Sequence, residues 1–194
     1  MINLGIRSGR IFEIFRKKFR YLSKDFEINS RKMIYYSNDR LIRFCKINDS
    51  DLDFYFSNMK LDFAVIGSDF YFEKNLKFNY IKLDVFSCRL SLISNGFQKC
   101  NTNRICTKYK KIVSSLKEFK NFDLVKVHGS IETCLILNLC DYIIDIVGSG
   151  ETIRANGLKE ESTLKYIYSL LVINTNVSTY KLDSIKKALN VNKT

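Results

Sequence analysis

Three short apolar segments, Arg104–Thr107, Leu124–Val127 and Tyr142–Val147, alternate with two stretches of helical spacing. This alternation restricts the chain to α/β folds. The first intervening stretch carries Tyr109, Ile112, Val113 and Leu116 on one face; the second carries Ile131, Cys134, Leu135 and Leu139 behind Ser130 as a cap. Such a β-α-β-α-β series predicts a parallel sheet with right-handed crossovers.

The rest of the chain continues the mixture. Ile2–Ile6 reads as a strand, and Gly9-Arg10 opens a helix with Ile11, Phe12, Phe15, Phe19 and Leu22 on one face. Arg16, Lys17, Lys18 and Arg20 lie mostly off that stripe and read as a solvated face. Ser50 reads as a cap before Leu52, Tyr55, Phe56 and Met59 at helical spacing. Leu61–Ile66 is a strand ending in Gly67-Ser68-Asp69, and Tyr80–Phe86 and Arg89–Ser94 are two more. After a looser stretch, Asn95–Asn103, and the series above, the chain returns to a strand at Lys165–Ile173. It ends in a helix with Tyr180, Leu182, Ile185 and Leu189 on one face.

The last strand of the series runs into a turn of small residues: Asp145-Ile-Val-Gly148-Ser149-Gly150-Glu151-Thr152. Glycine permits close backbone approach, and successive amides in such a turn form a concave donor nest for an anion. An acid in the apolar run ahead of it, Asp145, is placed to accept from sugar hydroxyls. Glu151 would repel a phosphate, so its side chain is expected to face solvent. A second strand ends in Gly-Ser at Gly67-Ser68. Open α/β sheets bind ligands at the carboxyl ends of strands, so two such turns predict two lobes with a ligand between them.

Composition narrows the partners. The net charge is +12, but the basic residues are scattered, not striped. The chain lacks Pro and Trp and is crowded with Lys, Asn, Ile, Phe and Tyr, whose codons are A/T-rich. Base bias accounts for the charge more simply than a nucleic-acid partner does. No apolar span reaches bilayer length. The six cysteines (Cys45, Cys88, Cys100, Cys106, Cys134, Cys140) form no C-x-x-C pair and His128 is the single histidine, which disfavours a structural metal. Free, buried thiols and no export segment point to the cytoplasm.

The span Glu132–Leu158 resembles the signature of the ATP phosphoribosyltransferase family. Glu132, Asp145, Ser149, Gly150 and Thr152 match it, and Arg154-Ala-Asn-Gly-Leu158 continues in the same way. Asn138 and Cys140 stand where small residues are usual. Gly9-Arg10, Ser30-Arg31-Lys32, Leu61–Asp69, Cys88-Arg89-Leu90, Arg104–Tyr109 and His128–Glu132 also resemble family segments, in order. Ser8 replaces a usual Lys, and Lys46 and Asn48 replace two arginines.

The resemblance implies a bilobed α/β fold like type II periplasmic binding proteins, with a cleft between the lobes. Lobe I would hold residues 1–89 and 165–194, and lobe II residues 90–164. It implies transfer of the phosphoribosyl group of 5-phosphoribosyl 1-pyrophosphate to adenine N1 of ATP, the first step of histidine biosynthesis, with Mg²⁺ carried by substrate and not by a protein metal site. Asp145, Arg31 and Glu132 are the implied catalytic residues. Gly148, Ser149, Gly150, Glu151, Thr152, Gly9, Arg10, Lys46 and Asp69 are the implied substrate contacts. The implied partners are a histidyl-tRNA-synthetase-like regulatory subunit and a second catalytic chain, with no nucleic acid and no membrane. The departures at Ser8, Lys46 and Asn48 are what a bilobed nucleotide- or phosphosugar-binding module without turnover would show.

Overall fold

The computed structural model describes residues 1–27, 31–96 and 102–191. Ser30 and Cys100 lie outside them. The chain divides into two compact units: Met1–Phe70 with Leu76–Phe86 and Tyr168–Thr194, and Tyr71–Asn75 with Ser87–Ile167. No helix among the described residues is long and apolar enough to cross a membrane.

The first unit begins with β1 (Ile2–Arg7), α1 (Arg10–Lys18), β2 (Ile34–Tyr36) and β3 (Ile42–Ile47). It continues with α2 (Leu52–Ser57), β4 (Phe63–Gly67) and the start of α3 (Ser68–Lys74). β1 lies between β3 and β4, parallel to both, and β2 adds antiparallel to β3. Ile11, Phe12 and Phe15 of α1 fall on one helical stripe and are buried. They meet Phe26, Tyr35 and Phe44 in an aromatic core, with ring centroids 5.2 Å apart for Phe12–Tyr35 and 4.8 Å for Phe26–Phe44. Asn48, not Ser50, caps the turn before α2: its Oδ1 accepts from Ser50 N at 3.3 Å.

The segments read as separate strands at 80–86 and 89–94 are one strand, β5 (Asn79–Ser94). Neither Ser87 nor Cys88 is a Gly or Pro that would break an extended run, so the strand continues through them. β5 contributes residues to both units.

The second unit holds β6 (Arg104–Thr107), α4 (Lys110–Ser114), β7 (Asp123–Lys126), α5 (Glu132–Ile136), β8 (Tyr142–Val147) and α6 (Glu151–Ala155). β6 is parallel to β7 and to β8, as the series predicts, and β5 runs antiparallel to β8. Its core joins Ile93, Cys106, Ile131, Leu135, Ile143, Val147 and Ile153. α5 is shorter than its apolar spacing suggests. Asn138 turns left-handed (φ 54°) just after the helix, so Leu139 leaves the inward stripe and is half exposed. Ser130 makes no cap bond there; Ile131 is the N-cap.

β9 (Lys159–Ile173) starts six residues before the expected strand, because Glu160–Thr163 are polar and carry no apolar signal. It then pairs antiparallel with β4 from Ser169 to Ile173. α7 (Thr179–Ala188) is capped by Ser178 and buries Ile185 and Leu189, while Tyr180 faces solvent.

Candidate active site

β8 is held from both sides. Ile143 and Ile144 are fully buried, Val147 nearly so, and Asp145 alternates out of that core. Past Val147 the chain turns through Gly148, Ser149 and Gly150 and enters α6, anchored by buried Ile153. Gly150 is the N-cap, with φ 76° and ψ 8°, a left-handed conformation that L side chains rarely adopt. Glu151 and Thr152 are exposed on the first turn of α6, whose leading N–H groups have no intrahelical acceptor.

Two guanidinium groups hold the turn by its carbonyls. Arg89 Nη1 donates to Gly148 O at 3.1 Å, and Arg154 Nη1 donates to Ser149 O at 3.0 Å. Arg89 also forks Glu160, with Nε to Oε1 at 2.5 Å and Nη2 to Oε2 at 2.6 Å, while Ser91 Oγ donates to Glu160 Oε1 at 2.7 Å. This bidentate pairing holds the Glu160 carboxyl below the usual glutamate range. Strand register explains the arrangement: Arg89 lies opposite Val147 and Ser91 opposite Asp145 on the β5–β8 ladder.

Asp145 is 14% exposed at its side chain and is paired with Lys108, Nζ to Oδ2 at 3.2 Å. Its Oδ1 accepts from Ile146 N at 2.8 Å. Burial pushes its carboxyl above the usual aspartate range, against the attraction of Lys108 and that backbone N–H; the charge of Glu132 pushes the same way as burial. Lys108 is delivered by Thr107, whose hydroxyl donates to Ile144 O at 2.8 Å and accepts from Tyr109 N at 3.0 Å. Asp145 and the 148–152 turn thus lie toward the carboxyl end of β8, Lys108 follows that of β6, and Glu132 opens α5 beyond that of the parallel strand β7.

The remaining expected residues lie in the first unit. Gly9 has φ 81° and ψ −140°, a glycine-only conformation, and Arg10 starts α1 exposed to solvent. Arg31 is exposed. Lys46 lies with Nζ 4.5 Å from the Phe12 ring centroid and 5.5 Å from that of Tyr35. It also borders a hollow of about 570 Å³ shared with Asn3, Arg43, Cys45, Tyr55 and Lys60. Asp69 is buried, 4.0 Å from Arg7, which also pairs with Asp49 at 2.8 Å. The two Gly-Ser strand ends differ: β4 passes directly into α3 at Ser68, with no intervening turn, whereas β8 is followed by one.

Lys108 and Glu160 were not singled out in the sequence, and Arg89 entered only as part of the family-like segment Cys88-Arg89-Leu90. Arg89 had a readable signal, an isolated arginine in an apolar strand, which demands a partner. Lys108 and Glu160 had none.

The two α/β units define a relative of the periplasmic-binding-protein fold. Among solved structures, the ATP phosphoribosyl transferase (HisG:HisZ) complex from Thermotoga maritima matches with a TM-score of 0.73 at 21% identity, covering 98% of this chain and 97% of that one. The aliphatic sulphonate binding protein SsuA from Escherichia coli matches with a TM-score of 0.67 at 9% identity, over 97% and 70% of the chains. These likenesses give the fold. The family profile described as HisG: ATP phosphoribosyltransferase matches residues 48–191. ATP phosphoribosyltransferases of Brachyspira hyodysenteriae (31% identity, 96% of this chain and 95% of that protein) and Bacillus licheniformis (29%, 89% and 85%) are similar in sequence. The chain belongs to the ATP phosphoribosyltransferase family, pentosyltransferases of the first step of histidine biosynthesis.

Proposed function

We infer that this chain condenses ATP with 5-phosphoribosyl 1-pyrophosphate, and that the 148–152 turn holds the 5′-phosphate. The observation that carries this reading is the turn itself: two carbonyls drawn back by guanidinium groups, directly after a largely buried acid. Ser149, Gly150, Glu151 and Thr152 offer backbone N–H groups there, Thr152 adds a hydroxyl, and the Glu151 side chain stays in solvent. Asp145 faces the ribose hydroxyls, with Glu132 beside it.

Bond making at C1 passes through a cationic, oxocarbenium-like centre as pyrophosphate departs. The work left to the protein is to hold the ribose phosphate rigid, stabilise charge and aim the purine. No side-chain nucleophile is required. Arg10 and Arg31 are assigned to the pyrophosphate or triphosphate, with Gly9 giving close backbone approach. Lys46 is assigned to ATP as a single point charge where an arginine would fork. Asp69, just past the end of β4 and 4.0 Å from Arg7, is assigned to the substrate contacts.

Magnesium, when bound, would neutralise the pyrophosphate. Among the described residues no three His, Cys, Asp or Glu side chains gather into a metal cage. Asp145 and Glu132 are the acids available to an ion that keeps its substrate oxygens and waters. The family relationship also supports a cytoplasmic enzyme, a pairing of catalytic chains, and a partner corresponding to the second component of the Thermotoga complex.

The test is pyrophosphate release from ATP and 5-phosphoribosyl 1-pyrophosphate with magnesium, with and without that partner. Release that Asp145→Asn or Thr152→Val abolishes supports the reading. Substrate binding without release under every condition rejects turnover.

A further inference from the structure

The geometry points to Arg89 and Arg154 as positioning residues that aim the N–H groups of the turn at the bound phosphate. This rests on the assignment of the 5′-phosphate to residues 148–152. A peptide unit is planar and trans, so the C=O of one residue and the N–H of the next point in opposite directions. Arg89 fixes Gly148 C=O, which turns Ser149 N–H away from Arg89. Arg154 fixes Ser149 C=O, which turns Gly150 N–H away from Arg154. Two consecutive donors are thereby oriented without either arginine touching the ligand.

The two arginines differ in charge. Arg89 is matched by the Glu160 fork, so it acts through geometry. Among the described residues Arg154 has no ion-pair partner, so its positive charge behind the turn remains available to a phosphate in front. The space around Gly150 belongs to the same device. A Cβ there would stand 3.1 Å from Arg154 Nη1, tighter than an ordinary contact. Glycine at 150 therefore supplies both the left-handed turn and room for the guanidinium.

Calorimetric titration of the full chain with 5-phosphoribosyl 1-pyrophosphate and magnesium, and separately with ATP, tests this. Arg154→Ala and Arg89→Lys are each expected to raise Kd for the sugar pyrophosphate about tenfold, the effect of one charge-assisted hydrogen bond, and to leave Kd for ATP within twofold. Added guanidinium ion should restore part of the loss in Arg154→Ala. Glu160→Gln, which loosens the fork while keeping an acceptor, should give a smaller rise than Arg89→Lys. Unchanged affinity in the arginine variants, with Thr152→Val weakened, overturns the positioning role and leaves the phosphate assignment standing. Parallel losses for both ligands with a falling Tm also overturn it, since they mark a purely structural role. No binding by the unaltered chain, or full binding by Thr152→Val, rejects the phosphate assignment itself.

Discussion

Lys108 Nζ lies 3.2 Å from Asp145 Oδ2, joining the end of β6 to the edge of the proposed ribose site. Lys108 and burial act on Asp145 in opposite directions, and burial prevails. The folded chain therefore binds the Asp145 proton more tightly than the unfolded chain does. Its contribution to stability is present below the unfolded pKa and is lost as pH rises through the folded value. Lys108→Met removes the opposing attraction and should raise the Asp145 pKa further. The acid limb of the pH–kcat/KM profile should then move to higher pH, because ribose contact requires the ionised acid. Carboxyl ¹³C NMR reads the same shift directly, and an unmoved midpoint would mean that Lys108 does not tune Asp145.

Gly150→Ala places a side chain at φ 76° and crowds the Arg154 guanidinium. The left-handed conformation costs an L residue about 1–2 kcal/mol, which for a chain of this size lowers Tm by roughly 2–8 °C. Gly150→Asn, which tolerates that region better, should lose less. Thermal melts of the two variants check the order.

Glu73 is buried, and its two carboxylate oxygens accept from Lys111 N at 3.2 Å and Ile112 N at 3.1 Å, closing the start of α4. Glu73→Gln turns one acceptor into a donor facing an N–H. The expected loss is about 1–3 kcal/mol, the cost of an unsatisfied buried group, measured by urea unfolding. A change under 0.5 kcal/mol would remove this contact from the account of stability.

Cys106 is buried and its thiol is pushed up to about 11, chiefly by burial, with Cys140 adding to the rise. At pH 8 only about one thiol in a thousand is ionised. An iodoacetamide pulse on native protein followed by peptide mapping should leave Cys106 unlabelled, and unfolding in urea should expose it. Labelling at equal rates in both states would contradict the buried position.

Local pattern made the second unit largely readable. Arg104–Thr107 and Tyr142–Val147 are strands at the expected residues, because each is a short apolar run closed by polar or glycine residues. The first half of β9 was hidden, since Glu160 and Glu161 alternate with nothing apolar. They are ordered by partners instead, Arg89 for Glu160 and Ser94 for Glu161. Leu139 was misplaced because helical spacing continues in sequence past the point where Asn138 ends the helix.

The α/β class, the turn after β8 and the family were legible from the residues alone, since each depends on residues close together in the chain. Tertiary structure alone decided what stands around the turn: Lys108 reaches Asp145 across 37 positions, and Arg89 meets Glu160 across 71. Such contacts follow from which strands pair and in what register. A one-residue slip would send every side chain to the opposite face, and no local pattern specifies that choice.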